Sequence, residues 1–102
     1  MVVTWTEDAI SQFHAVYNHI LETAGVNAAK RIAHKIEKSA ARLATHPQMG
    51  PMEEYLKQKP KGYRSLVVHK NYKLVYHIED QIIYISALFD CRQSPTKFEI
   101  IK

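Results

Sequence analysis

The side chains that could do chemistry gather in the second half of the chain. Between Lys57 and Lys73 stand six Lys or Arg residues and no acid, and a long apolar run then delivers Asp90, Cys91 and Arg92. Such a basic stretch suits a polyanion such as RNA or DNA, or an acidic protein; the plain alternative is a solvated loop and edge strand. Asp90 is spaced to orient Arg92 through a charge-assisted hydrogen bond. Cys91 has no histidine near it in sequence and reads as a buried or half-buried structural thiol rather than a nucleophile. His69, His77 and Asp90 do not match zinc-ligand spacing, so the histidines read as surface residues and neither metal nor cofactor is expected. Tyr63, Tyr72, Tyr76 and Tyr84 could stack nucleobases beside cations, but tyrosines at two-residue spacing more commonly pack a sheet.

These groups must be held by one domain, residues 1–102. A chain of 102 residues buries about two thirds of its unfolded surface, enough for a modest core without staples. Its net charge of +4 is uneven: 5 Lys/Arg against 4 Asp/Glu in residues 1–50, and 9 against 6 in residues 51–102. The single cysteine makes no intrachain disulfide, and no charged-then-apolar leader opens the chain, which together point to a reducing, cytoplasmic setting. No apolar run reaches the roughly 18 residues of a membrane span.

Val2 to Trp5 is a short β-prone run. Thr6 then offers an N-cap, with Glu7 and Asp8 placing negative charge in the first turn of a helix over about 7–24. Its apolar face is Ala9, Ile10, Phe13, Val16, Tyr17, Ile20, Leu21 and Ala24, and Gly25 stops it. Asn27 is expected to cap a second helix with the stripe Ala29, Ile32, Ala33, Ile36, Ala40, Leu43 and Ala44, ended by Pro47. Lys30, Arg31, His34, Lys35, Lys38 and Arg42 fall outside that stripe and form a basic solvent face. So short a link predicts an antiparallel helical hairpin. The Pro- and Gly-punctuated stretch from Pro47 to Lys61 is a loop, expected to be pinned by Met49, Met52, Tyr55 and Leu56.

Three strands follow, at about 62–68, 72–78 and 82–89, joined by links short enough to require antiparallel hairpins. Tyr72, Leu74, Tyr76 and Ile78 share the core face of the middle strand. The last strand is apolar on both faces, Ile83, Ile85, Ala87 and Phe89 alternating with Ile82, Tyr84, Ser86 and Leu88, as a strand central in its sheet requires. The first strand has room beside one of these. The expected fold is α+β, in the order β-α-α-β-β-β, with a helical hairpin on one face of a small, mostly antiparallel sheet and the other face partly open.

With the stretch "GYRSLVVHKNYKLVYHIEDQIIYISALFDCRQSP", this order resembles the RelE/ParE superfamily, the small toxins of bacterial type II toxin-antitoxin systems. The likeness lies in an Arg opening a strand (Arg64), a strand of the form Tyr-basic-apolar-apolar-Tyr (Tyr72 to Tyr76), a short acidic turn, an apolar strand, and an Arg followed by Pro (Arg92, Pro95). "HPQMG", His46 to Gly50, is similar to the family's loop after the second helix. The resemblance implies a growth-inhibiting toxin of the plasmid-stabilisation kind, masked by a cognate antitoxin and presenting a basic sheet face to a macromolecular target. That target is DNA gyrase for ParE-like members, or mRNA on the ribosome for RelE-like members, which cut without a metal.

RNA cleavage by 2′-hydroxyl attack needs a base, positive charge at the phosphorane and an acid at the leaving oxygen. By the resemblance, Arg64, Lys73 and Arg92 fall at the catalytic cations of RelE-like enzymes. Leu66 replaces a second lysine and Phe98 stands where a catalytic tyrosine is expected. Phenylalanine transfers no proton, so His77 or His69 would have to serve. The set is incomplete, which favours a ParE-like or divergent member; a degenerate, non-toxic antitoxin-binding module is the remaining reading.

Overall fold

The computed structural model describes residues 1–93. The expectations for Pro95, Phe98 and a closing helix over 96–102 therefore lie outside the described residues. Strand β1 is Val2–Trp5, helices α1 and α2 are Glu7–Ala24 and Val26–Arg42, and strands β2, β3 and β4 are Arg64–His69, Tyr72–Glu79 and Ile82–Asp90. A single 3-10 turn, Glu54–Leu56, interrupts the long loop. The sheet runs β1-β4-β3-β2, with β1 parallel to β4 and the other pairs antiparallel.

Thr6 caps α1 as its sequence predicts, its side chain accepting from the Ala9 N–H at 3.2 Å. The cap of α2 differs from expectation. Gly25 adopts φ 91°, its N–H donates to Leu21 O at 3.2 Å, and its own carbonyl accepts from Ala29 N at 3.1 Å. One residue thus ends α1 and starts α2, so Asn27 falls inside the first turn and makes no cap. Positive φ is what glycine supplies here, since a side chain would meet nothing within 4 Å. α2 closes at Arg42 rather than at Pro47, because tightened bonds such as Thr45 N–H to Arg42 O (3.2 Å) take over the last carbonyls.

Ala9 and Ile20 from α1 and Ala29, Ile36 and Ala40 from α2 meet Leu74, Tyr76, Ile83, Ile85 and Leu88 in the main core. The alternation read for β4 does not hold along its length. Val75 pairs with Ala87 but Tyr76 with Ile85, so Ser86 is an extra residue bulged out of the β3–β4 ladder. Beyond it the faces exchange: Leu88 joins Ile83 and Ile85 under the helices, while Ala87 and Phe89 turn to the opposite face. There they form a second, small core with Leu56, Tyr63 and Val75.

The long loop closes that second core. Residues 51–53 run beside β2, with Ser65 N–H to Pro51 O at 3.0 Å, Glu53 N–H to Tyr63 O at 2.9 Å and a bridge between Met52 and Arg64. Strand-like alternation then decides the side chains. Glu53 and, after the turn, Leu56 go in, whereas Met52 and Tyr55, expected as pins, are exposed. Met49 packs on the main core as expected.

Candidate functional site

Arg64 opens β2 opposite Tyr76, on the helix-side face. Its Nη1 donates to Gly50 O at 2.8 Å. The Tyr76 hydroxyl donates to Pro47 O at 2.9 Å and accepts from Gly50 N–H at 3.0 Å, so three bonds clamp the loop His46 to Gly50. Only glycine fits there: a Cβ on Gly50 would lie 2.5 Å from Ser65 O. Burial pushes the Tyr76 phenol up despite that bond. Arg64 is half-buried in this clamp.

Lys73 pairs with Val67, three residues along β2 from Arg64, and so points to the opposite face. It forms an ion pair with Glu53, whose side chain is only 3% exposed, and its ammonium lies 5.8 Å from the Phe89 ring centre. Burial alone would raise the Glu53 carboxyl. The Lys73 ammonium, the Tyr55 N–H and Ser65 together outweigh it and hold the carboxyl below its ordinary value.

Arg92 stands beyond the end of β4, where Asp90 pairs with Tyr72. Its Nε and Nη2 donate to the two Asp90 oxygens at 2.9 and 2.8 Å, a bidentate pair, and its guanidinium lies 5.9 Å from the Tyr72 ring centre. The hydrogen bonds from Arg92 hold the Asp90 carboxyl low. The orientation of Arg92 by Asp90 read from the sequence is present. Unlike the other two cations, Arg92 is exposed.

The three cations therefore occupy three places: a loop clamp under the helices, an ion pair on the opposite face, and the open end of the sheet. They do not share one basic sheet face. His77, read from sequence as a surface residue or a stand-in acid or base, is 5% exposed. It stacks on Tyr84 (5.3 Å, 18°) and meets Tyr63 edge-on (5.3 Å, 78°), and its Nδ1 is buried without a hydrogen-bond partner. Burial, then the charge of Lys61, holds its imidazole below the ordinary value against a smaller pull from Glu79. Cys91 is exposed, not half-buried. Among the described residues no three His, Cys, Asp or Glu side chains gather as metal ligands, and no helix is long and apolar enough to cross a membrane.

One groove remains beside Arg92. Because β1 stops at Trp5, opposite Ile85, the last residues of β4 have no outer strand among the described residues, and Gln12 of α1 accepts from the Leu88 N–H at 2.9 Å. The space left between α1 and the end of the sheet is about 510 Å³, lined by Val16, His19, Tyr72, Leu88 and Arg92 among others. Sequence reasoning missed Glu53 and Gln12, and gave Gly50 only as part of the family-like loop His46 to Gly50, not as the point where Arg64 and Tyr76 hold it.

Residues 3–95 match the model of a family described as the ParE toxin of the type II toxin-antitoxin system parDE. The chain belongs to that family. No curated protein sequence matches it. Among solved structures, the chromosomal ParDE system from P. aeruginosa is similar at a TM-score of 0.74, with 19% identity over 88% of this chain and 95% of that one. The YoeB dimer from Staphylococcus aureus follows at 0.57 and 20% identity over 86% and 93%. A heterotetrameric YoeB–YefM toxin-antitoxin complex from the same organism gives 0.55 at 20% identity over the same shares. At these identities the solved structures establish a shared fold: two helices over a four-stranded mixed sheet, as in ParE- and RelE-like toxins.

Proposed function

We propose that this ParE-family chain is a growth-inhibiting toxin of the cytoplasm, neutralised by a cognate antitoxin, and that it acts by docking on DNA gyrase rather than by cutting RNA. The antitoxin partner is carried over from the ParDE and YoeB–YefM assemblies to which the fold is similar.

One observation carries the choice of target. Arg64 and Lys73, which a RelE-like enzyme would aim at one phosphate, project from opposite faces of the sheet, one bound to Gly50 O and the other to Glu53. In-line attack by a 2′-hydroxyl needs its base, acid and cations converged within hydrogen-bond reach of a single phosphate, about 3 Å. Freeing Lys73 for RNA would strand a buried Glu53 carboxylate, and His77 is walled in by two tyrosines. A surface that binds a protein needs no such convergence.

Expression of the chain alone in a bacterium should arrest growth, co-expression of the antitoxin should relieve the arrest, and transcript ends mapped during the arrest should be unchanged. Cuts within coding regions would return the chain to the RNA-cleaving class, and healthy growth at high soluble expression would leave the degenerate binding module.

A further inference from the structure

The loop clamp, the ion pair and Arg92 leave unused a second group of cations, on helix α2. Helix α2 presents Lys30, Arg31, Lys35, Lys38 and Arg42, with His34, on its exposed side. Its buried residues, Ala29, Ile36 and Ala40, lie on the opposite side. The one acid between Lys30 and Arg42, Glu37, lies on the flank beside Trp5, Ile10 and Phe13. Among the described residues none of the five cations has an acidic side chain within ion-pair distance. Arg31 and Lys35, Lys35 and Lys38, and Lys38 and Arg42 are like-charged neighbours one turn apart, each pair weakening the helix.

The stripe continues past α2. Burial, then the charges of Lys35, Lys70 and Arg92, holds the His69 imidazole below its ordinary value, so Lys35 of α2 and Lys70 of the β2–β3 turn both act on His69. Helix α2 packs on β2, the strand that leads into that turn.

The make-up of the stripe selects its partner. A protein interface is built around a buried apolar or aromatic centre, and between Lys30 and Arg42 the exposed side offers only Ala41. Single-stranded RNA is held chiefly on Phe, Tyr and Trp platforms, and α2 contains none of these three. A duplex backbone asks only for correctly spread positive charge. Lys30 to Arg42 spans about 18 Å along the axis, and Lys30 and Lys35 flank the stripe about 140° apart, so one helix can reach both phosphate walls of a major groove. The B-form major groove admits an α-helix, whereas that of A-form RNA is too deep and narrow.

We propose that the outer face of α2, continued by Lys70, is a docking surface for the phosphate backbone of double-stranded DNA, independent of sequence. The surface does not depend on the gyrase reading, because it rests on this chain's own charges.

The test is fluorescence anisotropy of the purified full chain with a labelled random-sequence DNA duplex of twenty base pairs, titrated from 50 to 200 mM KCl. Four to five neutralised phosphates predict a slope of about −4 in log K against log salt. The double variant K35E/K38E should bind at least about tenfold more weakly with a slope shallower by about 2. It should melt no lower than the parent by circular dichroism, because the repulsive pairs 31/35 and 38/42 become attractive while 35/38 stays like-charged. A variant K57E, altered in the distant loop, should bind as the parent does. Unchanged binding by K35E/K38E would overturn the proposal. So would tighter binding to single-stranded RNA of equal length, or displacement of the duplex by poly-glutamate at lower charge equivalents than by unlabelled duplex.

Discussion

The two faces of the sheet are built from opposite materials. Under the helices the sheet meets apolar side chains of α1 and α2 in one core, and Tyr76 meets the loop with both of its hydroxyl bonds satisfied. On the far face a small apolar cluster shares its space with Glu53, Ser65, Lys73 and His77. The helix face supplies the rigidity, the far face spends charged groups on closing a loop, and of the three candidate cations Arg64, Lys73 and Arg92 it is Arg92, past the end of β4, that faces solvent. Charged residues in a small protein thus need not be functional merely because they are clustered in sequence.

Substitutions can break that contrast. The largest loss is expected from Ile85→Ala, wholly buried under the helices, which should lower unfolding stability in urea by about 2–5 kcal/mol. A loss below about 1 kcal/mol would mean that this core is looser than described. Next, Glu53→Gln leaves Lys73, 18% exposed, without its carboxylate and should cost about 1–3 kcal/mol. The double change Glu53→Gln with Lys73→Met should recover most of that loss, and failure to recover would show that the pair adds net stability rather than merely being satisfied.

A smaller effect is pH-dependent. His77 is held below the 6.5 of a free imidazole, so the unfolded chain binds a proton that the folded chain refuses. Stability should be full above about 6.5 and fall as the pH drops through and below that value. His77→Phe, which keeps the stack with Tyr84, should flatten the slope between pH 6.5 and 5 in melting curves, leaving the part due to His69, whose imidazole is also held low. An unchanged slope would remove His77 as its source. Smallest of all, Arg92→Ala should barely move the urea midpoint, since its pair with Asp90 is on the surface. A larger loss would make Arg92 part of the scaffold.

Much of the architecture was legible because periodicity and punctuation agree with each other. Thr6 before an acidic turn, Gly25 after the last apolar position, and two short links between apolar runs leave few alternatives to a hairpin of helices and a meander. Ser86 could not be found that way: β4 is apolar on both faces, so shifting the alternation by one residue leaves an equally apolar pattern. The link between Glu53 and Lys73 spans 20 residues, and pairing at that range is decided by the path of the loop rather than by local composition. His77 reads as polar in any window, and its burial follows from Tyr63 and Tyr84 arriving from two other segments. The candidate cations were nameable from the sequence. Their separation onto different faces was not, because it depends on which strand positions oppose one another.

A chain that works by occupying gyrase, with Arg64 and Lys73 in scaffold roles, should act on the purified enzyme. The measurement is supercoiling of relaxed plasmid by purified gyrase, titrated with the chain. Loss of supercoiling as the chain approaches the enzyme's concentration, restored by adding the antitoxin, is the predicted result. Full supercoiling in a large excess of folded chain would contradict it.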